Sequence, residues 1–309
     1  MNTASVYRSC PLCEREDGRP WLAKGALLLE QCPGCSMIYA NPVSQELASG
    51  EFYGHLATPF YLSPEKLEGD YAPVRFEREM RLFRAHCPRG TVLDVGCSTG
   101  AFLFQLRSRF PDAYAAVGND VAGPALEYAA GRGLAVIRSP FLDCDFQGRQ
   151  FEAVTFWAVL EHLMYPQRFL DKAAALLKPR GLCFILVPNM KSLAVRLLGA
   201  KYRYILPQHL NYFTPSTLRL LAESAADLSV MAAGSTHFNP LVILSDFFRG
   251  TEEVPDEDRA RLLKRTTAYK QKPALKPLKL LLSAIEMGLG SLNLADNLFV
   301  VLRKREGGG

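Results

Sequence analysis

Apolar and polar positions follow two different periods along this chain, and the alternation between them outlines a fold. The runs Thr91 to Val95, Tyr114 to Asn119, Leu134 to Arg138, Phe151 to Trp157 and Leu182 to Val187 are short and mostly apolar or β-branched, which predicts strands covered on both faces. Segments such as Ala101 to Arg109 between them carry helical spacing, so the β/α alternation predicts a parallel sheet sandwiched by helices. Thr214-Pro215-Ser216 reads as a helix start, with Thr214 as N-cap and a helix to about Asp227. Leu228 to Ser235 and Asn297 to Arg303 follow as sixth and last strands. Upstream, Phe76 to His86 has the pattern of an amphipathic helix feeding the first strand, while Leu47 to Tyr71 has no stable period and reads as a connector or lid. Residues 239–293 form a helical insertion that contains Phe247-Phe248, an acidic cluster from Glu252 to Asp258, and basic residues from Arg259 to Lys279.

Ligands of such sheets gather at the carboxyl ends of the strands. Asp94, Asp120, Phe141-Leu142 and Trp157-Ala158 all fall there in the predicted order. The first strand runs into Asp94-Val95-Gly96-Cys97-Ser98-Thr99-Gly100, a glycine-bent turn opening a helix, which is the layout of a nucleotide-type site. Asp120 follows at the interval where an acidic side chain meets a ribose, and its acceptor-only carboxylate suits ribose hydroxyls. The turn has the form G-x-x-x-G rather than G-x-G-x-x-G, so it lacks the pyrophosphate cradle of a dinucleotide site.

These residues resemble the class I S-adenosylmethionine-dependent methyltransferases, whose loop reads hydrophobic-hydrophobic-Asp-x-Gly-x-x-x-Gly. The resemblance continues through Phe151 to His162, Leu177-Lys178-Pro179-Arg180-Gly181 and Pro188-Asn189, covering about residues 75–235 in the family's order. It implies an α/β, Rossmann-like seven-stranded sheet with an antiparallel last strand. It also implies S-adenosylmethionine bound by Asp94, Gly96, Cys97, Gly100, Asp120, Trp157 and Ala158, with Phe141 and Leu142 near the adenine.

Cys10, Cys13, Cys32 and Cys35 are spaced C-x2-C-x18-C-x2-C, the pattern of a four-thiolate zinc ribbon, while the other four cysteines are scattered. Four thiolates close the coordination sphere, so the expected zinc is structural. The expected organisation is a ribbon over residues 1–42, a connector and entry helix over 43–88, and a methyltransferase domain over 89–309. The ribbon is expected to depend on its metal for folding.

Nearly half of the residues are apolar (49%) and the net charge is +5, which permits an anionic partner without the concentrated basic stripe of a nucleic-acid module. Met1 to Arg19 has no apolar core of a secretory signal, and Leu280 to Ala295 is short for a membrane span and interrupted by Glu286, so a cytoplasmic location is expected. Lysines beside Leu278, Leu280, Leu281 and Leu282 allow peripheral membrane contact; an ordinary solvated face or a dimer contact is the simpler expectation.

Methyl transfer to oxygen or carbon is helped by a positioned base. Pro207-Gln208-His209-Leu210-Asn211-Tyr212-Phe213 resembles a segment of zinc-ribbon sugar C-methyltransferases, which carry His-Glu-His where this chain has Pro-Gln-His. The resemblance makes His209 the expected base or acceptor-orienting residue, with Tyr212 assisting. Glu161 and His162 are expected to be scaffold, because neighbours on a helix point to different faces. His55, His86 and His237 carry no partner signal, and Tyr53, Tyr61 and Tyr71 are candidate lid residues. The expected acceptor is a small molecule, a nucleotide sugar or glycan hydroxyl or carbon. RNA gripped by the ribbon, and a lipid or polyprenyl acceptor at a membrane surface, are the alternatives.

Overall fold

In a computed structural model, residues 4–56, 58–248 and 254–306 are described, with the side chains of His55 and Leu56 outside the described set. Part of the acidic cluster, Glu252 and Glu253, and the Gly307 to Gly309 tail also lie outside it. The central sheet has seven strands: β1 (Gly90–Val95), β2 (Tyr114–Asp120), β3 (Val136–Arg138), β4 (Phe151–Trp157), β5 (Leu177–Pro188), β6 (Leu228–Thr236) and β7 (Asn297–Lys304). Their spatial order is β6-β7-β5-β4-β1-β2-β3, with β7 antiparallel to both neighbours. β1, β4 and β5 are buried almost throughout, as their apolar runs require.

β5 is longer than its apolar run, because Leu177 already pairs with Phe151 and the chain bulges before Leu182 pairs with Ala153. Arg180 takes φ +63 in that bulge. The helix capped by Thr214 spans Pro215–Ser224 and stops short of Asp227, whose carbonyl accepts Arg305 N–H at 2.8 Å and so belongs to the β6–β7 edge. The insertion forms the expected helices, Pro240–Phe247, Asp256–Gln271 and Lys276–Ser291. The connector, which lacked a sequence period, contains the helix Pro64–Tyr71 with Ser63 as its N-cap. Among the described residues no helix is long and apolar enough to cross a membrane.

The N-terminal unit is joined to the larger domain by a strand that the sequence does not announce. Its strands Arg19–Lys24, Leu27–Gln31 and Ile38–Ala40 form a sheet whose fourth strand, Asn211–Tyr212, comes from the segment after β5. Asn211 pairs with Tyr39 and Tyr212 with Ile38. Cys10, Cys32, Met37 and Tyr39 share one buried cluster with Val154 and Val187, and Leu27, Leu29 and Ile38 share another with Val195, Leu198 and Ile205. The ribbon is therefore packed into the larger domain and is not a separate bead.

Asn211 is the joint. Its amide nitrogen donates to the Leu160 carbonyl at 2.8 Å and the Leu163 carbonyl at 2.7 Å, and its oxygen accepts from Arg8 at 3.2 Å. Asn211→Ala would leave buried carbonyls unpaired, and an expected loss of about 2 to 3 kcal/mol in unfolding free energy follows. Denaturant titration checks this, and a loss under about 0.5 kcal/mol would show that the joint is dispensable.

Candidate active site

The glycine turn after β1 is built from left-handed backbone: Gly96 has φ +70, Ser98 φ +49 and Gly100 φ +75. A Cβ on Gly96 would sit 2.6 Å from Val159 Cγ2 and one on Gly100 2.5 Å from Leu134 Cδ1. The close approach that excludes side chains here is thus to the protein's own packing as well as to any ligand. Cys97 is buried in the same turn. Asp94, at the end of β1, is 3% exposed and accepts the Thr155 hydroxyl at 2.6 Å. Burial pushes its carboxyl up to about 7, with the Thr155 bond opposing and the Asp120 charge adding to the rise.

Asp120, at the end of β2, accepts Ser98 N–H at 2.7 Å on one oxygen and Val121 and Ala122 N–H at 2.7 and 3.0 Å on the other. Burial raises its carboxyl while these three bonds lower it. About one of a carboxylate's four acceptor positions remains free. That position is open to a hydroxyl donor.

Phe141 is buried among Phe146, Phe156 and Phe169, and Leu142 packs on the same core. Trp157 takes the other side of the sheet: its ring lies 5.3 Å from Phe102 and 6.3 Å from Phe184, and it lines a cavity of about 50 Å³ with Glu79, His237 and Phe299. Strand alternation separates it from Phe156 and so from the Phe141 side. Ala158 is exposed with φ +58, its N–H donating to the Leu186 carbonyl at 2.9 Å.

After β4 the chain makes a single 3-10 turn, Leu160–His162. In that tight turn Glu161 and His162 do not diverge as they would on an α-helix, because their ligating atoms lie with one from His209 within 4.8 Å of one another. His209 is 5% exposed, its ring 4.8 Å from that of His162 and edge-on to it, and its Nδ1 has no partner. Glu161 is 1% exposed, and neither carboxylate oxygen is bonded to another residue. Burial pushes Glu161 up to about 8 and His162 down to about 4, and burial with the neighbouring His162 holds His209 well below the usual imidazole range. Both rings are neutral near pH 7, the form in which a ring nitrogen can accept a proton or bind a ligand. Tyr212 donates its buried hydroxyl to the Leu206 carbonyl at 2.8 Å, a bond that braces the His209 loop.

A roof covers this cluster. Tyr53 from the connector places its hydroxyl 2.8 Å from His162 Nδ1. The helix Pro64–Tyr71 packs on the insertion helix Asp256–Gln271 so closely that a Cβ on Gly69 would meet Leu263 at 2.9 Å, and Lys264 pairs with Glu68 at 2.7 Å. Arg259 lies over Phe60 at 4.7 Å from the ring centre and lowers the pKa values of His162 and His209. Tyr71 donates to the Thr99 carbonyl of the glycine turn. His237, without a partner signal in sequence, pairs with Glu79 at 3.3 Å. Sequence reading passed over Arg259, whose neighbours on the insertion gave no sign that this one basic residue turns inward.

At the ribbon, each knuckle repeats one geometry: Glu14 N–H donates to the Cys10 carbonyl and Ser36 N–H to the Cys32 carbonyl, both at 2.9 Å, with Glu14 and Ser36 left-handed. The four sulfurs converge, with Cys10–Cys35 and Cys13–Cys32 at 3.4 Å and Cys13–Cys35 at 3.5 Å. Tetrahedral zinc with bonds of about 2.3 Å sets sulfurs about 3.8 Å apart, so this donor set fits that ion.

Residues 71–232 match the family described as methyltransferase domain. The chain belongs to that family. It is 30% identical over 194 residues to a ubiquinone biosynthesis O-methyltransferase of Vibrio campbellii, covering 57% of this chain and 81% of that protein. A Vibrio vulnificus protein of the same description matches with the same identity and coverage. In structure it is similar to an S-adenosylmethionine-dependent methyltransferase of Thermotoga maritima (TM-score 0.53, 15% identity, 82% of this chain and all of that one). A Haloferax volcanii methyltransferase solved with its Trm112 activator gives TM-score 0.52 at 15% identity, covering 82% of this chain and 99% of that one. The protein is an S-adenosylmethionine-dependent methyltransferase with the seven-stranded fold of that class.

The raised carboxyl of Asp94 gives this methyltransferase a signed pH dependence. The native state keeps that proton up to about pH 7, whereas an unfolded aspartate loses it near 3.8, so the contribution to stability is full below the lower value and is lost as pH rises through the upper one. The melting temperature of Asp94→Asn relative to the parent is expected to climb from about pH 4 to about pH 8. A flat difference across that range would mean that Asp94 is ionised throughout in the native protein.

Proposed function

We propose that this methyltransferase modifies a hydroxyl of a small polar acceptor, with a sugar or glycan-linked hydroxyl as the favoured class, and that His209 acts on the acceptor oxygen. The observation that carries this reading is the convergence of His209, His162 and Glu161 beneath the connector and insertion helices. A roofed, buried cluster suits a molecule that can be enclosed, and disfavours a nucleic-acid strand. The O-methyltransferases among the relatives support oxygen as the accepting atom. A polyprenyl phenol is the second acceptor class, favoured by exposed Leu278, Leu280 and Leu281 on the helix that carries Lys276 and Lys279.

In this reading Asp120 holds the ribose and the Gly96 to Gly100 turn lies along the cofactor, with Phe141 and Leu142 on the adenine side. Bound there, S-adenosylmethionine would supply an electrophilic methyl, which the acceptor oxygen would take as the C–S electron pair returned to sulfur. The residues align the oxygen, exclude water and remove its proton. Tyr53 and the Gln208 carbonyl fix the His162 ring, and His209, stacked edge-on to it, keeps a free nitrogen toward the acceptor.

The acceptor is found by screening nucleotide sugars, glycans, polyprenyl phenols and tRNA for methyl incorporation. With it, His209→Asn is expected to lower kcat about 10²- to 10⁴-fold while S-adenosylmethionine affinity, read by calorimetry, stays within about twofold. Parent-like turnover of the variant at every pH tested would remove His209 from the reaction.

We also propose one structural zinc per chain on Cys10, Cys13, Cys32 and Cys35. Because the ribbon sheet is completed by Asn211–Tyr212, its removal by chelation is expected to raise amide exchange in residues 206–213 as well as in the ribbon, and to lower turnover. Purified protein without zinc, or a Cys32→Ser variant with full zinc content, would contradict this.

A further inference from the structure

The Glu161–His162–His209 cluster contains more ligating capacity than proton transfer requires. Glu161 is almost fully buried, both of its oxygens lack a partner in another residue, and among the described residues it forms no ion pair. A carboxyl buried in that state keeps its proton, and a cation beside it is what would let it ionise. His209 Nδ1 is a second buried orphan in the same cluster. His162 is different: its Nδ1 lies 2.8 Å from the Gln208 carbonyl, an acceptor only. A proton on Nδ1 makes that contact a hydrogen bond and leaves the lone pair on Nε2, the arrangement in which a histidine serves as a metal ligand backed by a backbone carbonyl. Tyr53 donates to the same carbonyl at 3.2 Å and strengthens the restraint.

The three ligands are held by one short stretch of backbone pairing. Leu210 N–H donates to the Glu161 carbonyl at 2.7 Å, joining the loop that carries His209 to the turn that carries the other two. Their ligating atoms lie within 4.8 Å of one another, and tetrahedral bonds of about 2.1 Å would set them about 3.4 Å apart, so binding an ion draws the three side chains together by up to about 1.4 Å.

We infer that Glu161, His162 and His209 form a second metal site, distinct from the cysteine quartet, which takes a divalent transition-metal ion such as Mn2+ or Co2+ and leaves open positions for the acceptor oxygen. Two imidazoles and one carboxylate select such ions over Mg2+ and Ca2+, which favour all-oxygen sites, and over the thiophilic preference of the ribbon. The inference rests on the proposed reading that His209 acts on the acceptor oxygen, and specifies that it acts through the ion. An ion held there would supply Lewis acidity that lowers the pKa of an acceptor hydroxyl, whose proton would leave to solvent as the acceptor enters and before the roof excludes water.

The test uses the full, zinc-loaded chain, so that the cysteine site is already filled. Titration with Mn2+, followed by the loss of the free-ion electron paramagnetic resonance signal, is expected to show one ion bound per chain. Glu161→Gln and His209→Asn are each expected to weaken that binding at least tenfold, with zinc content and S-adenosylmethionine affinity kept. Should either variant fail to fold, Co2+ added to the parent protein gives an independent reading: ligand-field bands without sulfur-to-cobalt charge transfer support the site. A folded parent that binds neither Mn2+ nor Co2+ at millimolar concentration overturns the inference, as does Mn2+ binding unchanged in both variants. If no ion binds and His209→Asn still abolishes methyl transfer, the metal site is lost and the proposed function stands. If the ion binds and His209→Asn turns over normally, the site stands and the role of His209 on the acceptor falls.

Discussion

The amide of Asn211 bonds in three directions, and the arrangement of the reactive end of the molecule follows from them. Through its backbone it adds a strand to the ribbon beside Tyr39; through its nitrogen it fixes the carbonyls of Leu160 and Leu163 on either side of Glu161 and His162; through its oxygen it receives Arg8. Two residues earlier on the same loop lies His209. The ribbon, the turn after β4 and the loop after β5 are far apart in sequence, so without this joint their backbone polar groups would face one another unpaired in a buried region. The N-terminal sheet thereby acquires a mechanical reason to exist in a methyltransferase: it holds the edge against which the histidine loop is pinned.

The carboxyl ends of β1, β2 and β4 bring Asp94, Asp120 and Glu161 into partly or fully buried positions, and the protein satisfies each differently. Asp120 receives three backbone N–H groups, Asp94 one hydroxyl, and Glu161 no bond from another residue. The least compensated of the three, Asp94 and Glu161, are the ones whose pKa values burial pushes up to about 7 and 8. Such stored electrostatic cost is a common mark of sites that bind charge.

The sheet was legible because its central strands are apolar on both faces and its strands alternate with helices; all seven lie at the expected places, with β5 starting earlier than its apolar run. The same holds for Thr214, whose cap and following proline are local signals. The placement of Asp94 and Asp120 at strand ends and the convergence of the four cysteines were legible from spacing. What sequence could not show depends on long-range meeting. Asn211–Tyr212 is too short to announce a strand, and becomes one only because Ile38–Ala40 offers an edge. Glu161 and His162 are neighbours whose convergence rests on a 3-10 turn that helical spacing rules do not anticipate. Trp157 ends its strand on the Phe102 side of the sheet, opposite Phe156 and Phe141, which strand alternation explains once the register is known. Arg259 and Gly69 are ordinary residues of a basic helix and a lid until the two pack together.

β7 follows the insertion in chain order but lies between β5 and β6, not at an edge. During synthesis the first six strands can therefore assemble only around a gap, with the edges of β5 and β6 unpaired until the residues after Asn297 have emerged. Strand β6 has no place in the sheet until then, because every one of its sheet partners is on β7. Exposed strand edges invite pairing with other chains, so this topology makes the completed C-terminal strand a safeguard against self-association in the nascent protein, and leaves the long insertion as the segment whose translation time sets how long that hazard lasts.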